Sequence, residues 1–162
     1  MKMTALIGAA TLALASAGFV PAQAAAAEGP FANFSGVWSG TGTVTVKNGT
    51  KERLRCKAHY EVSGGGEAMA QNLTCASDSY TFNVVSNVKA AGNAISGNWQ
   101  ETSRGAGGEI TGHIDTKQIS ATVQGTGFSA GIAIAARGGK QSVNIRPTGT
   151  DITDVSVTMS KG

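Results

Sequence analysis

From Phe34 onward, apolar residues recur at every second position, and no long stretch places them at helical spacing. Val44 and Val46 alternate with Thr43, Thr45 and Lys47. Leu54, Cys56, Ala58, Tyr60 and Val62 then alternate with Arg53, Arg55, Lys57, His59 and Glu61. The same period carries Tyr80-x-Phe82-x-Val84, Ile95-x-Gly97-x-Trp99 and Ile110-x-Gly112-x-Ile114. It continues through Ile119 to Val123, Phe128 to Ile134, Val143 to Ile145 and Val155 to Met159. Turn chemistry separates the runs: Asn48-Gly49, Gly64-Gly65-Gly66, Gly92-Asn93, Gly105 to Gly108, Gly138-Gly139 and Gly149 to Asp151. The pattern predicts an all-β protein. Its form is an antiparallel up-and-down meander of about 8–10 strands, a closed or nearly closed barrel, with a β-sandwich as the alternative.

The first two hairpins allow their registers to be worked out. A two-residue turn at Asn48-Gly49 pairs Val44 with Arg53 and sets charge on the apolar face. A three-residue loop, Lys47-Asn48-Gly49, ends in a left-handed glycine and pairs Val46 with Thr50, Val44 with Glu52 and Trp38 with Ala58. The second register is the expected one. In the next hairpin, a turn at Gly65-Gly66 sets Cys56 opposite Cys75, Ala58 opposite Leu73 and Val62 opposite Met69. A cross-strand disulfide is geometrically demanding, so the agreement of turn and cysteine spacing predicts a Cys56–Cys75 bridge.

The inward phase of this barrel is rich in Gly and Ala, and Gly40, Gly42, Gly97, Gly112 and Gly125 all fall on it. Small inward residues relieve curvature or leave room for a ligand. The rings available to line such a space are Trp38, Tyr60, Tyr80, Phe82, Trp99 and Phe128. Outward positions are mainly Ser, Thr, Asn and Lys, and the chain ends Met159-Ser160-Lys161-Gly162 without a terminal aromatic, which argues against an outer-membrane barrel.

Composition narrows the class. The chain has 162 residues, 41% hydrophobic and 14% charged, with 23 Gly and two Cys. It is too apolar for a disordered chain and too poor in cysteine for a disulfide-built mini-protein. Residues 1–24 read as a signal peptide: Lys2 supplies the positive start, Leu6 to Val20 is uncharged and mostly apolar, and Ala22-Gln23-Ala24 is a cleavage site. A flexible N-terminal segment, 25–33, and a single β domain, 34–162, follow. The expected location is periplasmic or secreted, with no membrane span after signal removal, and an oxidising compartment favours the disulfide.

Gly127-Phe128-Ser129-Ala130-Gly131 matches the G-x-S-x-G nucleophile pattern, but that motif needs a strand, a sharp turn and a helix, with its His later in the chain. Here it lies inside an alternating strand, and His59 and His113 both precede it. The two histidines fall on polar strand faces, and with Asp115 they form no metal-type spacing. Glu101 is in phase with the inner run Ile95-Gly97-Trp99, but a lone carboxylate makes no acid/base pair. Gly138-Gly139-Lys140 lacks the rest of a phosphate loop. The expectation is therefore a non-enzymatic protein with no cofactor, no metal and no catalytic residue.

Charge placement adds one candidate. Lys51, Arg53, Arg55 and Lys57, four of the chain's 13 Lys and Arg, share one face of one strand. The row is a candidate anion-binding stripe for anionic lipid or polysaccharide, or else a solvated face that discourages edge pairing. No aromatic residue is interleaved with it, so a nucleic-acid partner is not expected.

The opening Phe34-Ser35-Gly36-Val37-Trp38 contains a G-x-W that resembles the start of lipocalin and avidin barrels and supports the architecture. The stretch from Phe34 to Gly42, with Leu54-Arg55-Cys56 and Cys75 to Tyr80, resembles an uncharacterised family of short exported proteins of alphaproteobacteria. That resemblance implies export and no particular activity. The leading expectation is an exported β-barrel that binds a small, largely apolar ligand inside. A module docking the cell-envelope surface through the basic stripe comes second. An enzyme of unknown type, through His59, His113 and Asp115, comes third.

Overall fold

The computed structural model describes residues 28–115 and 117–162; the signal-peptide expectation, 1–24, lies outside them. Ten strands follow in order: β1 (Gly36–Val46), β2 (Lys51–Ser63), β3 (Ala68–Ala76), β4 (Thr81–Ala91) and β5 (Ala94–Glu101). Then come β6 (Ala106–Asp115), β7 (Gln118–Gly125), β8 (Phe128–Arg137), β9 (Lys140–Thr148) and β10 (Ile152–Lys161). Each strand pairs antiparallel with its sequence neighbour, and β10 pairs with β1 to close the barrel. This is the meander the period-two pattern predicts; the sandwich does not form. Closure leaves no strand edge, which an antiparallel sheet otherwise has to protect.

Both derived registers are present. Trp38 faces Ala58, Gly40 faces Cys56 and Val44 faces Glu52, and the amide of Val46 bonds the Thr50 carbonyl at 3.0 Å. Gly49 takes φ 84°, the left-handed conformation its loop requires. In the second hairpin Cys56 pairs with Cys75 and Val62 with Met69, and the two cysteines form a disulfide.

The inward glycines are accounted for by curvature rather than by room. A Cβ on Gly40 or Gly42 would run into backbone of β10, on Gly97 into the Asn87 carbonyl of β4, and on Gly112 into the Ser120 carbonyl of β7. At these positions neighbouring strands approach too closely for any side chain, as tight barrel closure demands. Gly125 differs, because a Cβ there would meet the rings of Phe128 and Trp99.

The two ends of the barrel are built differently. One end carries the turns at residues 64–67, 92–93 and 138–139, and residues 29–34 dock across it. The amide of Gly29 bonds the Gly65 carbonyl and that of Phe31 bonds the Gly66 carbonyl, both at 3.0 Å. Much of this stretch falls in the segment expected to be flexible, yet Phe31 and Phe34 are fully buried as a plug beneath Trp38 and Tyr60. A 3₁₀ turn, Ala32–Phe34, holds them, and the Trp38 indole N–H donates to the Phe34 carbonyl at 2.7 Å. The other end carries the longer loops at residues 47–50, 77–80, 102–105 and 149–151.

Candidate functional site: the barrel interior and its rim

The six rings expected to line the interior divide between the two ends. Trp38 and Tyr60 lie in the plugged end and are buried at 1% and 2% exposure, so they are core. Phe34 meets the Tyr60 ring edge-on at 6.5 Å. Tyr80, Phe82, Trp99 and Phe128 gather at the opposite end and stay half-buried. Tyr80 and Phe82 stack at 6.1 Å, and Trp99 meets Phe128 edge-on at 5.4 Å. The Trp99 indole N–H donates to the Gln124 carbonyl at 3.1 Å, which satisfies its polar atom and leaves the ring as an apolar wall.

Below these rings, Leu73, Val84, Ile132, Ile145 and Val155 occupy inward register in the middle of their strands. Inward residues of a filled barrel are sealed from water, yet these five remain partly accessible. Toward the plugged end Val62, Ala90 and Ile134 are partly accessible as well, whereas Val44 and Leu54 below the rim are fully buried.

The rim holds two carboxylates in inward register, and each ties down a loop. Glu101 is buried; its Oε1 accepts the Asn83 amide at 3.0 Å and its Oε2 accepts the Arg104 amide at 2.7 Å. The Arg104 guanidinium lies 3.6 Å from Glu101 and over the Phe82 ring at 5.7 Å. Burial works to raise the Glu101 pKa, but the amides of Asn83 and Arg104 and the Ser103 contacts outweigh it and hold the carboxyl below its ordinary range. Glu52 accepts from the Ser77 hydroxyl at 2.7 Å and the Ser79 amide at 3.0 Å. The bonds from Ser79 and Ser77 lower its pKa as well.

Deeper in, two polar pairs interrupt the apolar lining. Ser86 donates to Gln71 at 2.9 Å. At the plugged end the Tyr60 hydroxyl donates to Gln141 Oε1 at 3.2 Å, while Gln141 Nε2 is buried without a partner. Burial pushes the Tyr60 phenol up to about 12, against a lowering by Gln141. Glu52, Gln71, Ser86 and Gln141 are interior groups that apolar alternation alone does not mark. Their signal in the sequence is position, since each sits two residues from an inward apolar residue.

The remaining candidates stay apart. His59 on β2 and His113 on β6 are exposed on outward faces of strands that are not neighbours, so the grouping of His59, His113 and Asp115 does not assemble. No group of His, Cys, Asp or Glu among the described residues could hold a metal ion. Ser129 of the G-x-S-x-G match bonds Thr148 at 2.8 Å across β8 and β9, with a strand in place of the required helix. Lys51, Arg53, Arg55 and Lys57 stand exposed on β2, opposite Thr45, Thr43, Thr41 and Ser39. Two grooves open on this outer wall: about 430 Å³ beside His59 and Glu61, and about 390 Å³ between Thr41, Arg55, Lys57 and Thr74.

No family model matches the chain. No curated protein matches it either. Among solved structures, it is similar to the S-type phycobiliprotein lyase CPES from Guillardia theta, with a TM-score of 0.61 at 10% identity, over 82% of this chain and 90% of that one. This likeness corrects the expectation of a non-enzymatic protein. A barrel of this shape is also that of a protein titled a lyase, so the missing triad and metal spacing do not mark the fold as non-catalytic. At 10% identity the shared property is the fold.

Proposed function

We propose that the barrel binds a small, largely apolar and uncharged ligand, taken in through the rim formed by Tyr80, Phe82, Trp99 and Phe128. The observation that carries this reading is the asymmetry of the ends. Phe31 and Phe34 seal one, while the other carries the half-buried rings Tyr80, Phe82, Trp99 and Phe128 above the partly accessible Leu73, Val84, Ile132, Ile145 and Val155. A concave apolar lining with a few convergent polar groups is the usual form of a small-molecule site. The fold it shares with a phycobiliprotein lyase supports a ligand-holding role.

Charge selects the ligand class. Arg104 at the rim is paired with Glu101, and Lys161 stands exposed at the far rim with its ammonium over Trp38. Between them no other cation occupies inward register among the described residues. A buried carboxylate ligand thus finds no counter-charge, whereas a neutral molecule incurs no such penalty. The test is titration with the uncharged fluorophore N-phenyl-1-naphthylamine, followed by displacement with neutral long-chain alcohols and ketones. Saturable binding that quenches Trp99 and weakens in Trp99→Ala is expected. Absence of saturable binding across that panel overturns the proposal.

We also infer that the chain is exported and cleaved after Ala24. The Cys56–Cys75 disulfide supports an oxidising compartment. No described helix is long and apolar enough to cross a membrane, which is compatible with that location. Mass spectrometry of protein released from the periplasm or medium should find Ala25 at the N-terminus. An intact leader on a cytoplasmic product refutes export.

A further inference from the structure

The basic row on β2 calls for an explanation that the closed barrel removes from edge protection. Strand β2 pairs with β1 from Lys51 onward and with β3 from Arg55 onward, and beside Lys51 and Arg53 the loop at Ser77 and Ser79 is tied to Glu52, so no neighbouring strand has to be kept off the row. Solubility does not account for them either. The flanking outward faces carry no charge: Thr45, Thr43, Thr41 and Ser39 on β1, with Ala76 and Thr74 on β3. Strands β5 and β7 expose only Ala, Ser, Thr, Asn and Gln outward and are solvated without ions. Against that neutral wall, four consecutive outward cations on a single strand are an outlier.

The four are also unengaged. The two ion pairs among the described residues join Lys47 to Asp151 and Arg104 to Glu101. None of Lys51, Arg53, Arg55 and Lys57 is in either, and no acid stands opposite any of them. Alternate residues of a strand are about 6.7 Å apart, so the row is roughly 20 Å long. It is one charge wide, with the hydroxyls of Thr45, Thr43, Thr41 and Ser39 along one side and that of Thr74 on the other. The groove of about 390 Å³ between Thr41, Arg55, Lys57 and Thr74 lies along it.

We propose that this row docks an acidic polysaccharide, a linear chain of sugars bearing carboxylates or sulfates. Line charge meets line charge, and the row of Thr and Ser hydroxyls on β1 beside it matches the sugar hydroxyls. A bilayer fits less well, because the wall is convex and the row has no apolar anchor beside it. A single-stranded nucleic acid fits less well, because no ring interleaves the cations for a base to stack on. The site is separate from the interior, so the proposal stands whether or not the barrel holds a ligand.

The test is binding of the full chain to polygalacturonate at low salt, with uncharged dextran as the control. Comparison probes are phosphatidylglycerol-containing vesicles and oligo-dT. Binding to polygalacturonate alone is expected, falling steeply as salt rises. Arg53→Ser with Arg55→Ser should lower affinity about tenfold or more, while Arg53→Lys with Arg55→Lys retains it. Lys89→Ser with Arg146→Ser, which removes cations from elsewhere on the wall, should leave it unchanged. All variants must show the β-sheet circular dichroism of the parent. The proposal is overturned by undiminished binding in the serine pair, by no binding to polygalacturonate, or by equal or tighter binding to the vesicles or the oligonucleotide.

Discussion

The Tyr60–Gln141 pair allows a stability prediction whose sign runs against the usual effect of core mutation. Gln141 is 1% exposed, its Oε1 accepts one 3.2 Å bond from Tyr60, and its Nε2 has no partner. A buried orphan donor costs about 1–3 kcal/mol, while the hydrogen bond returns about 0.5–1.5 kcal/mol. Tyr60→Phe alone leaves the whole amide unpaired and should destabilise by about 1–3 kcal/mol. Gln141→Met removes the orphan donor but strands the phenol, so its effect should be near zero. Methionine suits the site because it is unbranched and close to glutamine in shape. The double variant Tyr60→Phe/Gln141→Met leaves no unsatisfied polar atom. It should be more stable than the parent by about 1 kcal/mol, a rise of about 2–4 °C for a chain of this size. The assay is urea and thermal unfolding by circular dichroism of all four proteins with the disulfide intact. A double variant less stable than either single refutes the reasoning.

Four further outcomes follow from the same geometry. Because burial raises the Tyr60 pKa from 10.0 to about 12, its contribution is complete below pH 10 and is lost as pH climbs through that window; Tyr60→Phe should remove this alkaline step from the pH–stability profile. Glu101 and Glu52 are held below their ordinary values, so their contribution is present above about pH 4.5 and fades as pH falls; Glu101→Gln should flatten the acid limb of the same profile. Reducing Cys56–Cys75, which closes a span of 19 residues, should lower stability by about 3 kcal/mol, read as a drop in the urea midpoint. Gly112→Ala should destabilise by more than 1 kcal/mol in the same unfolding assay, because its Cβ has to displace the Ser120 carbonyl; an unchanged melting temperature would show that β6 and β7 can separate there at little cost.

Sequence alone determined the local geometry of this protein. Period-two alternation specified strands, and Gly49 with the 64–66 glycines specified the turns. Cysteine spacing agrees with the register of the second hairpin. These are short-range properties, set by strand pleat and turn chemistry. What the interior does was decided only by closure. The inward glycines could have meant room or curvature, and the approach of neighbouring backbones shows curvature. Trp38 and Tyr60 could have lined a pocket, but the Phe31–Phe34 segment, which shows no strand alternation, packs beneath them and makes them core. Glu52 and Glu101 look alike in the alternation, yet only the loops folding back over each reveal both as rim carboxylates with fixed partners. Closing the sheet also bears on the basic row on β2, since that strand is paired to β1 along the row and to β3 from Arg55 onward. Which residues face inward is a property of each strand. Whether that inside is sealed or open depends on what covers each end, and that is settled by contacts between residues far apart in the chain.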